Sequence, residues 1–140
     1  MLKAALQTTR LTRVISNVVG MMLFVQVVLG GSAVLLDMPV IYHLIWGLLA
    51  FIVLIIAAVF ASRTYGTGST LFKVSLAAIV DFVIQGLLGL FSFNLGVPLV
   101  IHLTNAFVLA ILVTYLISFA DSADKAAMAK ILPSTKIPPA

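Results

Sequence analysis

The chain has 140 residues, of which 63% are hydrophobic and 9% are charged, whereas soluble domains average roughly 45–50% apolar and about 25% charged residues. This composition indicates a membrane protein, and four apolar runs of about twenty residues leave no room for a separate soluble catalytic domain. The chain has no cysteine, which excludes disulfides, iron–sulfur clusters, thiolate zinc sites and covalent haem attachment.

The placement of charge predicts the topology. Eight Lys and Arg residues stand against four Asp and Glu residues, and the cations precede the first apolar run, flank the middle connection and follow the last run. By the positive-inside rule, both termini and the middle connection are cytoplasmic in a multi-pass protein of the cell membrane. The cations are dispersed among positions that meet membrane lipid, so no nucleic-acid partner is expected.

The apolar runs predict four helices in chain order, each long enough to span a bilayer: Val14–Leu36, Pro39–Ala61, Leu71–Leu95 and Pro98–Phe119. Pro39 and Pro98 are expected at the first helical position, where a missing N–H is harmless. The Gly- and Ser-rich segment 62–70 is predicted to be a flexible connection. Residues 120–140 are expected to form a cytoplasmic tail, in which Ala126–Lys130 extends the last helix as an interfacial stretch. The whole chain, 1–140, is then a single transmembrane domain.

The chain also contains an internal repeat. Val25-Gln-Val-Val-Leu-Gly30 recurs as Ile84-Gln-Gly-Leu-Leu-Gly89 at an offset of 59 residues, and the offset holds for further pairs: Gln26 and Gln85, Gly30 and Gly89, Pro39 and Pro98, His43 and His102, and Leu44 and Leu103. Each half, 14–61 and 71–119, is therefore expected to be a helical hairpin. Two hairpins of one orientation predict an all-α integral membrane four-helix bundle with a pseudo-twofold axis along the membrane normal.

The two histidines of the chain, His43 and His102, are repeat mates. A histidine inside a membrane span is a functional hypothesis by default, and both lie about four residues, or roughly 6 Å, inside the outer end of a helix. If the second and fourth helices face each other, the two imidazoles approach one shared group from opposite sides, as axial ligands approach haem iron. In the alternative reading they are hydrogen-bonded packing residues.

Small residues surround the proposed haem plane. Gly47 and Ala106 follow the two histidines by four residues on the same helix face, and Gly30 and Gly89 reach a similar depth on the first and third helices. We expect these four residues to leave space for a flat macrocycle between the two imidazoles. The alternative is that they serve close helix packing.

Asp81 is the acidic residue nearest the middle of the bilayer. Gln85 lies one helical turn above it, and Gln26 is the repeat mate of Gln85. This polar stripe predicts a proton path or a hydrogen-bonding site for a quinone head group, because acids inside membrane spans often act as relays. In the alternative reading, a protonated Asp81 shares hydrogen bonds with Gln26, Asn17 or Ser75.

Three segments resemble the haem A synthase family: Leu23-Phe-Val-Gln-Val-Val-Leu-Gly-Gly31, Asp81-Phe-Val-Ile-Gln-Gly-Leu-Leu-Gly89 and Val97-Pro-Leu-Val-Ile-His-Leu-Thr-Asn-Ala106. Members of that family have two four-helix halves, each with a histidine pair on its second and fourth helices near the outer face. The resemblance covers nearly the whole chain as one such half, as in the half-length archaeal type, and it implies haem bound between His43 and His102. The half-length form also implies a homodimer that rebuilds eight helices.

The chain departs from the family at the residues of oxygenase chemistry. The glutamate that lies three residues before the second-helix histidine of the synthases is Val40 here, the chain contains no glutamate, and the outer cysteine pair is absent. The sequence therefore predicts a membrane cytochrome that carries haem b, with other haem types left open, and transfers electrons with a quinone or another membrane redox partner. Two alternatives remain: a haem-modifying oxygenase of the synthase type, and a structural or transport bundle without haem.

Overall fold

A computed structural model describes the backbone of residues 2–94 and 98–131 and the side chains of residues 6–92 and 98–130. Within these ranges the chain forms four helices: α1 (Leu2–Leu35), α2 (Val40–Tyr65), α3 (Thr70–Asn94) and α4 (Leu99–Ile131). All four are long and apolar enough to cross a membrane. The predicted all-helical architecture with four membrane-spanning helices is therefore confirmed.

The four helices form a bundle in which each helix packs against two others. α1 packs against α2 and α4, and α3 packs against the same two helices. Across the described residues, the backbones of α2 and α4 make no close approach, nor do those of α1 and α3, so these are the diagonal pairs. One end of the bundle holds the start of α1 and the end of α4, and is called the terminal end; the opposite end is called the turn end.

The first and last helices are longer than predicted: α1 begins at Leu2 and α4 continues to Ile131. At 1.5 Å per residue, α1 and α4 are each roughly 50 Å long, against roughly 38 Å for α2 and α3. The additional turns of α1 and α4 pack on each other at the terminal end, so residues 126–130 continue α4 beside α1. The remainder of the predicted tail, residues 132–140, lies outside the described residues.

The terminal pairing of α1 with α4 has a polar centre. Asp124, which is 5% exposed, accepts a hydrogen bond from Thr9 Oγ1 at 3.2 Å. Its other carboxylate oxygen lies 3.1 Å from Arg13 Nη1. A buried carboxylate is costly unless it is paired and hydrogen-bonded, and these contacts stabilise the extended ends of α1 and α4 against each other.

The helices stop short of their predicted ends at the turn end, so that α1 and α2 are joined by residues 36–39 rather than 37–38. Pro39 is the N-cap of α2 rather than its first helical residue, and Pro98 likewise precedes the start of α4. Their carbonyl groups accept hydrogen bonds from the N–H groups of Tyr42 and Ile101, at 3.2 and 3.0 Å. The first connection turns at Asp37, which has a positive φ of 53°. The predicted end of the third helix, Leu95, lies outside the described residues.

Most of the segment 62–70, predicted as a flexible connection, is structured. α2 continues to Tyr65, so the connection spans only 66–69. Gly66 has a φ of 84°, a positive value that glycine adopts without the steric cost of a Cβ. Ser69 Oγ then accepts a hydrogen bond from the N–H of Phe72 at 3.2 Å, as an N-cap residue does.

The packed core lies in the half of the bundle toward the terminal end. Its largest fully buried apolar side chains are Leu54, Leu109 and Leu116, surrounded by alanines of α2, α3 and α4. Between Asp81 and the turn end, one residue of the described helices is buried, Gly47. The histidines therefore lie in the less densely filled half, above the core.

Candidate functional site

The two histidines occupy equivalent places on the diagonal helices. His43 is the fourth residue of α2 and His102 is the fourth residue of α4, and both are half-buried. α2 and α4 are a diagonal pair of the bundle. Repeat mates therefore lie in one region of the bundle, close to the turn end.

The ring of His43 is held by Gln26 of α1. Nδ1 of His43 lies 3.1 Å from the backbone oxygen of Gln26, and Nε2 lies 3.1 Å from Nε2 of the Gln26 side chain. Because a carbonyl oxygen only accepts, Nδ1 must carry the proton and Nε2 accepts from the glutamine amide. The backbone of α1 thus selects the tautomer of His43.

The ring of His102 is held in the same way by Gln85 of α3. Its Nδ1 lies 3.0 Å from the backbone oxygen of Gln85, and its Nε2 lies 3.4 Å from Nε2 of the Gln85 side chain. The same side-chain amide also donates to the backbone oxygen of His102 at 3.0 Å. The histidine–glutamine contact therefore recurs at the offset of 59 residues.

The glycines of the repeat allow this arrangement. A Cβ on Gly30 would lie 2.9 Å from Cε1 of His43, and a Cβ on Gly89 would lie 3.0 Å from Cε1 of His102. Each ring therefore rests against bare helix backbone. Gly47 serves Gln26 instead, since its Cβ would lie 2.8 Å from the Gln26 amide nitrogen.

Ala106, the repeat mate of Gly47, is half-buried on α4. The predicted role of these four small residues around a macrocycle stays a prediction.

Behind this common anchor the two pockets differ. In the first pocket, Trp46 directs its indole N–H to the backbone oxygen of Met22 at 2.8 Å. Oε1 of Gln26 is buried and finds no partner among the described residues. This pocket contains no acidic side chain next to its glutamine in the part of the chain that the structure describes.

In the second pocket, Asn105 connects the glutamine to an acid. Asn105 Nδ2 donates to Oε1 of Gln85 at 2.9 Å, and the Asn105 side chain also lies near the carboxyl group of Asp81. Asp81 is 8% exposed, and its Oδ2 has no partner within the described ranges. Asp81, Asn105, Gln85 and His102 thus form a continuous polar line.

The partners proposed for Asp81 from the sequence are engaged elsewhere. Ser75 donates to the backbone of its own helix, Asn17 donates to the backbone of α1, and Gln26 contacts His43. The polar side chain near Asp81 is instead Asn105 of α4, a residue that was not among the predicted partners.

A signal for the Asp81–Asn105 contact was present in the sequence. Asp81 and Asn105 replace Met22 and Trp46 at the repeat offset of 59 residues, and Trp46 contacts Met22 in the first hairpin. Two departures from a repeat at positions that touch each other indicate a changed contact.

A shallow groove of about 290 Å³ lies between α3 and α4, near the turn end. Its walls include Leu88, Val100 and Val108, and its polar groups are Thr104 and Asn105. Val100 is 63% exposed, so in a membrane the groove is accessible from the lipid. It reaches the polar line of the second pocket through Asn105.

A comparison of the chain with protein-family models, with curated proteins and with solved structures finds no match. Within residues 2–94 and 98–131, no group of three His, Asp or Glu side chains comes together as a metal site would require. The two histidines and their glutamines are therefore the candidate ligand-binding groups on which a function is argued.

Proposed function

We propose that the chain is a membrane b-type cytochrome in which His43 and His102 would hold the iron of one haem near the outer face. The observation that carries the proposal is the repeated anchoring of the two imidazoles on diagonal helices, each with Nδ1 against a backbone carbonyl. We further propose that the two hairpins are related by a pseudo-twofold axis along the membrane normal, with both termini in the cytoplasm.

The donor set fits a bis-histidine haem. Histidines that bind metals typically donate their second ring N–H to a carbonyl or carboxylate, which orients the ring and leaves Nε2 as the ligand atom. Both histidines place Nδ1 in this way, and Nε2 of each faces a glutamine side-chain amide. Binding requires the amides of Gln26 and Gln85 to turn away from Nε2. For Gln26 this is favoured by its buried Oε1, which lacks a partner among the described residues.

A bound haem b supplies one reversible electron. The chain supplies the rest: the backbone carbonyls of Gln26 and Gln85 hold the imidazoles, and the groove lined by Asn105 admits a quinone ring from the lipid. A quinol would then be oxidised in two successive one-electron steps, and in each step Asp81 receives the proton that a hydroxyl releases and passes it on before the next. The hydrogen bond between Asn105 and Gln85 keeps this proton-accepting group beside the His102 ligand.

The sequence resemblance adds to this proposal. The motifs around Gln26, Gln85 and His102 are similar to those of haem A synthases, and the chain resembles the half-length archaeal type, such as the dimeric membrane cytochrome bX. We accordingly propose a homodimer. The missing glutamate at Val40 favours electron transfer over oxygenation of the haem.

A second candidate function follows from the same contacts. Both ring nitrogens of each histidine are already bonded to a glutamine, which ties α1 to α2 and α3 to α4. The histidines would then join helices in a structural or transport bundle without haem. This candidate predicts a colourless protein.

The test is an absorption spectrum of the detergent-purified chain, oxidised and after dithionite reduction, with a pyridine haemochrome to identify the haem. We expect low-spin b-type bands and a single haem per chain. His43→Gly and His102→Gly should each abolish these bands, and added imidazole should restore them, because free imidazole can occupy the vacated ligand position.

The other outcomes separate the alternatives. A colourless protein that takes up no added haemin would contradict the proposal and favour the structural candidate. Haem O or haem A in the preparation would favour modification of the haem by a synthase-type reaction. Unchanged bands in both glycine variants would show that the ligands lie elsewhere.

A further inference from the structure

A second groove lies at the terminal end, between the first turns of α1 and the last turns of α4. It has a volume of about 810 Å³, and its walls combine the apolar side chains Leu6 and Met128 with the cations Arg10, Arg13 and Lys125. We refer to it as the terminal groove. It lies at the opposite end of the bundle from the histidines and takes no part in the proposed haem site.

The cations of the terminal groove are not equally available. Arg13 lies 3.1 Å from Asp124 and 3.7 Å from Asp121, and Lys125 pairs with Asp121. Arg10 is exposed, and no carboxylate of the described residues lies within ion-pair distance of it. Arg10 therefore carries the uncompensated positive charge of the groove.

The groove also lies where the chain passes from charged to apolar sequence. Val14, Val18 and Met21 continue the Arg10 face of α1 toward the middle of the bundle, at intervals of three or four residues. These three side chains are 46%, 42% and 66% exposed. A cationic groove above an exposed apolar stripe matches a molecule with a charged head and a hydrocarbon tail.

We propose that the terminal groove binds an anionic phospholipid of the adjoining leaflet. Arg10 donates hydrogen bonds to the phosphate, for which its guanidinium fork is well suited. Leu6 and Met128 pack against the glycerol region, and an acyl chain follows the stripe from Val14 to Met21. This proposal is independent of whether the chain binds haem.

The test is native mass spectrometry of the full chain in a non-ionic detergent, titrated with phosphatidylglycerol. Arg10→Gln should weaken binding about five- to tenfold, the effect of one basic residue at an anionic lipid surface. Arg63→Gln is the matched control, because Arg63 is an exposed cation in the last turn of α2 and does not line the groove. We expect this control to bind like the unaltered chain.

Two further titrations decide the source of the phosphate and the role of charge. Phosphatidylcholine should bind more weakly than phosphatidylglycerol, and inorganic phosphate should not compete. Equal weakening by Arg10→Gln and Arg63→Gln, equal binding of the two lipids, or competition by inorganic phosphate would each overturn the proposal. Thermal unfolding of both variants in the same detergent confirms that they are folded.

Discussion

The first hairpin holds the ring of His43 with Gln26 and rests it against Gly30, and the second holds His102 with Gln85 and rests it against Gly89. Behind these anchors the hairpins diverge. The first closes with an indole bonded to the backbone of α1, and the second closes with an amide that connects the glutamine to a buried acid.

The contacts that hold each imidazole are therefore independent of the side chains that lie behind them. One glutamine and one glycine per hairpin suffice to orient an imidazole, because both contacts use atoms close to the helix backbone. The residues one turn further toward the core are then free to differ. The two proposed ligands are held alike but are chemically inequivalent, since Asp81 lies behind His102 alone.

The largest expected effect is loss of the common anchor. Gly30→Ala and Gly89→Ala place a Cβ at 2.9 and 3.0 Å from the neighbouring imidazole, and we expect each to lower the free energy of unfolding by about 1–3 kcal/mol. Each should also reduce the haem content of the purified chain. Thermal unfolding in detergent and the pyridine haemochrome measure these two effects.

Matched controls exist beside both positions. A Cβ on Gly31 or Gly86 meets nothing within 4 Å, so Gly31→Ala and Gly86→Ala should leave stability unchanged or raise it by up to about 1 kcal/mol through helix propensity. If Gly30→Ala behaves like Gly31→Ala, the rings do not rest on the glycines as described.

The next effect tests the inequivalence of the pockets. Asp81→Asn removes the proposed proton acceptor of the second pocket while it preserves shape, and we expect quinol oxidation to slow by at least about tenfold. The haem content should stay the same. Met22→Leu, at the equivalent place in the first pocket, should leave the rate of quinol oxidation unchanged. Equal rates in the unaltered chain, Asp81→Asn and Met22→Leu would contradict the proposed role of Asp81.

A smaller effect separates a structural contact from a functional one. Trp46→Phe removes the indole N–H that donates to Met22, and we expect a loss of about 1 kcal/mol in stability with an unchanged rate of quinol oxidation. Asn105→Ala should cost a similar amount and also slow the rate, because it interrupts the line from Asp81 to Gln85. A rate defect in Trp46→Phe would contradict this distinction.

The smallest effect concerns a place where the hairpins agree. Ser16 and Ser75 are fully buried and stand 59 residues apart, and each donates to a carbonyl one turn earlier in its own helix. Ser16→Ala and Ser75→Ala should each change the free energy of unfolding by less than about 1 kcal/mol, and equally. Unequal values in thermal unfolding would show that the hairpins also differ away from the histidines.

Much of the fold was predictable because it depends on local composition. Four apolar runs in a chain of this length specify four spans, since each backbone polar group in a bilayer must be satisfied within its own helix. The positions of His43 and His102 near the turn end were also predictable, because each histidine lies four residues after the predicted start of its helix. The start of α1 and the end of α4 were not predictable from composition. Both ends pack on each other through the contacts of Asp124 in α4 with Thr9 and Arg13 in α1.

The amino-acid sequence was enough to predict the four helices, the repeat and the equal depth of the two histidines in their helices. The contacts of Gln26 and Gln85 with the rings, and the proximity of Asn105 of α4 to Asp81 of α3, became visible in the folded bundle alone. The physical reason is that these helices are apolar on nearly every side, so their sequences do not specify how each is rotated about its axis. That rotation, set by packing between helices, determines which polar side chains meet.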